Sequence, residues 1–354
     1  MSTSLRTPQA GTSRDRNRPM MTLTHQEAHV DLAPLRSYWH PVASSSAVGD
    51  APVGVTLLEE DLVLFRSGDR VAAFADLCPH RGTRLSLGSV TADGCLQCPY
   101  HGWQYDVDGR CVFIPSQPKD HQRIPSKARA VQYRAEERYG LVWVALAEPR
   151  RPIPEYPEFD DPGFHTWMKF YGPWDASAGR MTENALDLAH LDFVHPGLLG
   201  DPEDPDAAEI QPYETTVEED AVLTTYYKAF PSAETFAPEN SVIRHDARVD
   251  IPFIFTIRIY SDQGTVALYF ATYPIAANRS AFWLFEARNY ALDEPDDRFI
   301  AFNDVLETQD RRVIEAQRPE LLPCDLSEEL HLKGPDAAAI EYRRLLARRG
   351  IRHA

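Results

Sequence analysis

Two short loops constrain this chain more than anything else in it. Cys78-Pro79-His80 and Cys98-Pro99-Tyr100-His101 each carry one thiol and one imidazole, with glycine just beyond at Gly82 and Gly102. Cysteine and histidine at such spacing are metal ligands, so the two loops must meet in space. A single zinc ion held tetrahedrally by two Cys and two His is one solution. The division of ligands favours another. Each loop supplies one sulfur and one imidazole, which suits two irons, one bound by both sulfurs and the other by both imidazoles. Cys95-x-x-Cys98 also has the form of a redox CxxC pair. Because His101 already completes the second loop with Cys98, Cys95 reads as a small buried residue.

That ligand set is the one of a Rieske 2Fe-2S cluster. A second metal motif lies further on, in Asn184-Ala-Leu-Asp187-Leu-Ala-His190-Leu-Asp-Phe-Val-His195-Pro196. On a continuous helix Asn184, Asp187 and His190 share one face at i, i+3, i+6, and His195 lies well off it. Pro196 pushes His195 out of the α region, so the helix is expected to loosen near Val194 and let His195 swing round. Two His and one carboxylate on one side of an iron form the facial triad of non-haem Fe(II) oxygenases.

Composition narrows the class. The 354 residues suffice for two domains, and the net charge of -17 argues against nucleic-acid binding. No apolar run reaches the ~20 residues of a membrane span. The opening residues lack the charged-then-apolar pattern of an export signal, and five cysteines form no secreted disulfide framework. The expectation is a cytoplasmic protein that uses cysteine for metal. There is no GxGxxG for a nucleotide, so any NAD(P)H-dependent reductase must be another chain.

In chain order, residues 1–33 read as a disordered tail. Residues 34–150 read as a small all-β domain, with a hairpin at Ser67-Gly68-Asp69, a turn at Asp108-Gly109, and a last strand in "ERYGLVWVALAEP". A Pro- and Asp-rich linker opens the segment 151–354. There, runs at 253–260, 265–276 and 280–290 predict an antiparallel sheet with an aromatic face, and 296–318 predicts a long helix stopped by Pro319. A last helix ends at Gly350.

With "CPHRG", "CPYHGWQYD" and "ENALDLAHLDFVH" in hand, the chain resembles the terminal (alpha-type) component of Rieske non-haem iron oxygenases from about Leu35 to the C-terminus. Within that family it is similar to the single-subunit types: vanillate and other O-demethylases, phthalate-type oxygenases, and oxygenases of saxitoxin-type alkaloids. The resemblance implies an α+β fold: an N-terminal all-β Rieske domain, then a helix-grip (START-like) antiparallel-sheet catalytic domain. It implies a 2Fe-2S cluster on Cys78, His80, Cys98 and His101, and a mononuclear Fe(II) on His190 and His195. Respiratory Rieske proteins add a disulfide and a serine near the cluster. Position 103 here is Trp and position 83 is Thr, so fewer hydrogen bonds to sulfur and a lower potential are expected.

The third ligand of the mononuclear iron is assigned to Asp310, on a helical stripe with Phe299, Leu306, Val313 and Gln317. Glu307, Asp304 and Glu315 are alternatives on the same helix. The resemblance agrees, placing the third ligand on a late helix. Asp187 reads from the residues as an acid that orients His190. The resemblance makes it the bridge to a cluster histidine of a neighbouring subunit, hence a homotrimer. Asn184 matches an Asn near the iron in the family. The implied chemistry is hydroxylation or demethylation of an apolar, aromatic or specialised-metabolite substrate with O2. Electrons come from NAD(P)H through a flavin reductase, with or without a ferredoxin. Two rivals are a pure electron carrier and a ligand-binding module with a silent iron site. His165, His245 and His331 read as ordinary surface or core residues.

Overall fold

A computed structural model describes residues 30–201, 203, 209–229 and 242–354. The expected tail therefore lies outside the described residues as far as residue 29. At the tail's expected end, Ala33–Ser37 form a 3-10 turn that buries Leu35.

The alternating runs of the first part become ten strands. These are β1 (His40–Ser44), β2 (Val53–Leu57), β3 (Glu60–Ser67), β4 (Arg70–Ala75), β5 (Ser89–Val90), β6 (Leu96–Gln97), β7 (Gln104–Tyr105), β8 (Cys111–Phe113), β9 (Gln132–Arg138) and β10 (Leu141–Ala145). Six form one sheet in the order β1-β10-β9-β4-β3-β2, and β5 to β8 form a second. The β3–β4 hairpin turns at Ser67-Gly68-Asp69, as the sequence predicts. The segment "ERYGLVWVALAEP" is not one strand. It is a hairpin of β9 and β10, reversing at Tyr139-Gly140, both at positive φ. Tyr is a poor indicator of such a turn, which hides it from sequence reading. The inner faces bury Val63, Phe65, Phe74, Leu96 and Tyr105 around Cys78 and Cys98.

The second part is one seven-stranded antiparallel sheet: β11 (His165–Trp174), β12 (Glu214–Val217), β13 (Ala221–Ala229), β14 (Val242–Asp250), β15 (Ile254–Ser261), β16 (Gly264–Ala276) and β17 (Arg279–Arg288). Its order is β11-β17-β16-β15-β14-β13-β12. The runs read at 253–290 are β15 to β17. β11 follows the Pro-rich linker directly and joins the far edge of the sheet by pairing with β17.

Helices grip this sheet. α1 (Ala178–Leu186) lies against β14 to β17, with Ser177 capping it through the N–H of Arg180. α2 (Leu191–Val194) is a single turn. α3 (Asp297–Ile314) packs on α1 and α2, and α4 (Ala337–Arg348) on β12 and β13. A buried ion network ties α1 to α4. The Arg343 guanidinium is shared by Glu183 and Glu329, and Arg180 also holds Glu329. Among the described residues no helix is long and apolar enough to cross a membrane.

Candidate metal centres and substrate pocket

The two Cys/His loops have the same backbone design. In the first, Cys78 N donates to Thr83 O at 2.8 Å and Gly82 N to Cys78 O at 2.9 Å. In the second, Cys98 N donates to Trp103 O at 2.9 Å and Gly102 N to Cys98 O at 3.1 Å. Gly82 and Gly102 both take the left-handed φ, +71° and +67°, that closes each loop. Each loop thus presents a buried cysteine and a more exposed histidine. Cys78 and Cys98 are 2% exposed, while the rings of His80 and His101 meet nearer the surface at 4.6 Å between centroids. His80 stacks on Trp103 at 4.3 Å, and its buried Nδ1 has no hydrogen-bond partner.

This donor set fits two metals rather than one. A tetrahedral ion needs its four ligand atoms in mutual contact. Among the described residues only His190, His195 and Asp310 gather three candidate ligand atoms within 4.8 Å. The cluster loops instead offer a sulfur pair inside and an imidazole pair outside. The zinc alternative fails on that separation. Tyr105, fully buried, places its hydroxyl 3.2 Å from Cys78 Sγ. That is a hydrogen bond to sulfur that sequence reading missed. Cys95 is half-buried rather than buried.

The second centre departs from a single helix. α1 ends at Leu186, and Asp187 is extended (φ -81°, ψ 123°). Asp187 Oδ1 instead accepts from Ala189 N at 2.7 Å, a local turn that competes with the helix. His190 and His195 then stand at the two ends of α2. The chain breaks at Asp187, not near Val194. His190 Nε2 lies 3.6 Å and His195 Nε2 3.3 Å from Asp310 Oδ1. Asn184 Nδ2 donates to the same oxygen at 3.2 Å. Gln309 Oε1 sits 2.8 Å from His195 Nδ1, which fixes that nitrogen as the N–H and turns the Nε2 lone pair toward Asp310. Nothing in the sequence singled out Gln309.

Burial lowers the His190 pKa against the pull of Asp310 and Asp187. His195 moves the other way: burial opposes it, but hydrogen bonds to Asp310 and Gln309 prevail. Asp187 Oδ2 is 3.8 Å from His190 Nδ1, too far for the orienting hydrogen bond expected of it, and its side chain is 40% exposed. The alternative acids are engaged elsewhere or turned away. Asp304 pairs with Lys169 and Tyr171, and Glu315 with Arg311. Glu307 is buried in the pocket but does not join the three-ligand group. The stripe of α3 also differs from expectation. Phe299, Asn303, Glu307, Asp310 and Ile314 face inward, and Val313 is 44% exposed.

Residues 38–134 match the family of the Rieske 2Fe-2S domain, and residues 174–350 that of the vanillate O-demethylase oxygenase C-terminal domain. A curated relative, the methylxanthine N1-demethylase of Pseudomonas putida, is 33% identical over 324 residues, covering 88% of each chain. The chain belongs to the Rieske oxygenases. The methylxanthine N3-demethylase of the same organism is 32% identical, covering 82% of this chain and 83% of its own. A solved structure of the N1-demethylase of P. putida CBB5 with caffeine has a TM-score of 0.80 at 32% identity, over 90% of this chain and 92% of that one. As a Rieske oxygenase the protein carries a Rieske cluster and a mononuclear iron, and is an oxidoreductase.

The oxygenase pocket opens from the three-ligand group onto the sheet. β15, β16 and β17 supply Phe255, Phe270 and Phe282, and Trp174 closes the β11 side. The aromatic face expected in this sheet is thus, in part, pocket wall. His245, read as an ordinary histidine, also lines it. It stacks on Tyr226 at 4.6 Å with rings 2° from parallel, and burial lowers its pKa to about 4.

Proposed function

We propose that this chain is the terminal oxygenase of a multi-component system that oxidatively demethylates a small N- or O-methylated aromatic compound. His190, His195 and Asp310 hold the mononuclear iron, and Cys78, Cys98, His80 and His101 hold the cluster. The observation that carries the reading is the two-His, one-Asp group at one end of a pocket walled by aromatic rings. The relatives that cover most of the chain are named as N-demethylases of methylxanthines.

When bound, the cluster supplies single electrons and the mononuclear iron supplies the chemistry of dioxygen. The chain's own residues do the rest. Gln309 keeps the Nε2 lone pair of His195 free for metal, and Asn184 steadies Asp310. Phe255, Phe270 and Phe282 exclude water and present flat apolar surface to a ring. Asp187 and His101 both reach the surface, which suits transfer between chains. In this reading Asp187 of one subunit meets a cluster histidine of the next in a homotrimer. A separate NAD(P)H-dependent flavin reductase, with or without a ferredoxin, charges the cluster in the cytoplasm. The division into domains in this reading falls near 34–150, which holds the six- and four-stranded sheets, and 151–354, which holds the seven-stranded one.

The test is metal content and turnover together. Anaerobically purified protein is expected to hold about three irons per chain, and Asp310→Ala about two with the Rieske spectrum intact. With a surrogate reductase, a methylated aromatic substrate should release formaldehyde. Two irons in the unaltered protein, or zinc, would overturn the reading.

A further inference from the structure

Several polar groups lining the pocket are satisfied by the protein. Asn184 donates to Asp310, and Thr182 to the carbonyl of Ala178. Asn303 is locked from outside: its Nδ2 donates to Phe299 O at 2.9 Å and to Glu286 Oε2 at 3.1 Å. A carbonyl only accepts, so the amide cannot flip, and its Oδ1 remains an acceptor without a donor among the described residues.

The carboxyl of Glu307, one turn beyond Asn303 on the same face of α3, is not satisfied at either oxygen by the described residues. It lines the pocket, is 8% exposed, and has no hydrogen bond or ion pair among the described residues. Asp310 and Asp304 act on it with like charge. A carboxyl buried in this way is costly unless something else supplies its partner. Among the described residues no Lys or Arg lines the pocket. A substrate carrying a carboxylate would therefore meet no Lys or Arg side chain of the described residues, beside Asp187, Glu307 and Asp310.

We propose that Glu307 is the substrate anchor, its carboxyl accepting a hydrogen bond from an N–H or O–H donor on an uncharged aromatic or heteroaromatic substrate. The anchor fixes which ring atom faces His190, His195 and Asp310, and so is a determinant of regiochemistry. A carboxyl accepts in either protonation state, so the assignment does not depend on its charge. Asn303 Oδ1, also an acceptor, reinforces the preference for a donor-bearing edge. The inference rests on the oxygenase reading above.

The test is equilibrium binding to holoenzyme of theobromine, which carries one ring N–H, caffeine, which carries none, and vanillate, an anion. The wild type is expected to bind theobromine about tenfold more tightly than caffeine, the worth of one buried hydrogen bond, and vanillate not at all. Glu307→Gln, which keeps an acceptor, retains the preference. Glu307→Leu loses about tenfold for theobromine and leaves caffeine unchanged. A general loss of packing would weaken both probes together. The anchor is overturned if Glu307→Leu keeps the preference, if the wild type favours caffeine or vanillate, or if theobromine does not bind. Iron is counted on the same samples: about two per chain in the wild type sinks the oxygenase reading itself. A full complement with an unaltered preference sinks only the anchor.

Discussion

Replacing Tyr105 by Phe removes one oxygen from the fold and leaves its ring in place. That oxygen lies 3.2 Å from Cys78 Sγ, in a side chain with no solvent exposure. Burial, with Cys78 beside it, pushes the phenol's pKa far up, so the hydroxyl stays protonated and donates to sulfur. A reduced cluster carries one more negative charge than an oxidised one. Hydrogen bonds to its sulfurs are therefore stronger in the reduced state and raise the potential. One such bond is worth about 1 kcal/mol. Since 1.4 kcal/mol corresponds to 59 mV for one electron, the Tyr105→Phe midpoint should fall by about 40 mV. A redox titration of the holoprotein, followed by EPR or circular dichroism, measures it. The ring still fills its place among Phe65, Phe74 and Leu96, so stability should hold. A midpoint that stays put or rises would refute the assignment of the hydroxyl as donor to the cluster.

Gln309→Leu should weaken retention of the mononuclear iron about 10- to 100-fold in chelator competition and leave the Rieske spectrum unchanged, because only the hydrogen bond to His195 is lost. Arg343→Met strips Glu183 of its close partner, leaving it only Arg180 at 3.8 Å, takes one of two partners from Glu329, and should cost about 3 kcal/mol, read as a lowered urea midpoint. Glu286 has its pKa raised to about 7, first by burial. The folded protein then holds a proton that the unfolded chain releases near the usual carboxylate range. Stability should fall as pH rises from about 5 to 7 and level off above. Glu286→Gln should flatten that slope in thermal melts taken across the range. A slope that persists in the variant would assign it to other groups.

The Cys/His loops and the pair His190 and His195 were legible as candidate ligands because each is a chemically distinctive side chain at short spacing from the next. Asp310, which converges on the two histidines, could be singled out because few acids sit on the inner side of its helix. What surrounds the ligands was not legible. The inward face of α3 carries Asn303 and Glu307, and hydropathy assigns polar residues to solvent, so the sequence chose a phase that included Val313. Gln309 depends on that same phase. The break at Asp187 carries no Gly or Pro to announce it. It arises from a side-chain-to-backbone turn that helical periodicity does not register. His245 reaches the pocket through strand register, which its local sequence does not state.

α2 holds its two histidines at opposite ends of a single turn, but the aspartate that completes the set arrives on α3, after β12 to β17. During synthesis the two Cys/His loops emerge early and the last of the three convergent side chains late. The first donor set is therefore complete in the chain well before the second. The second closes only after β15 to β17, which wall the pocket, have been made.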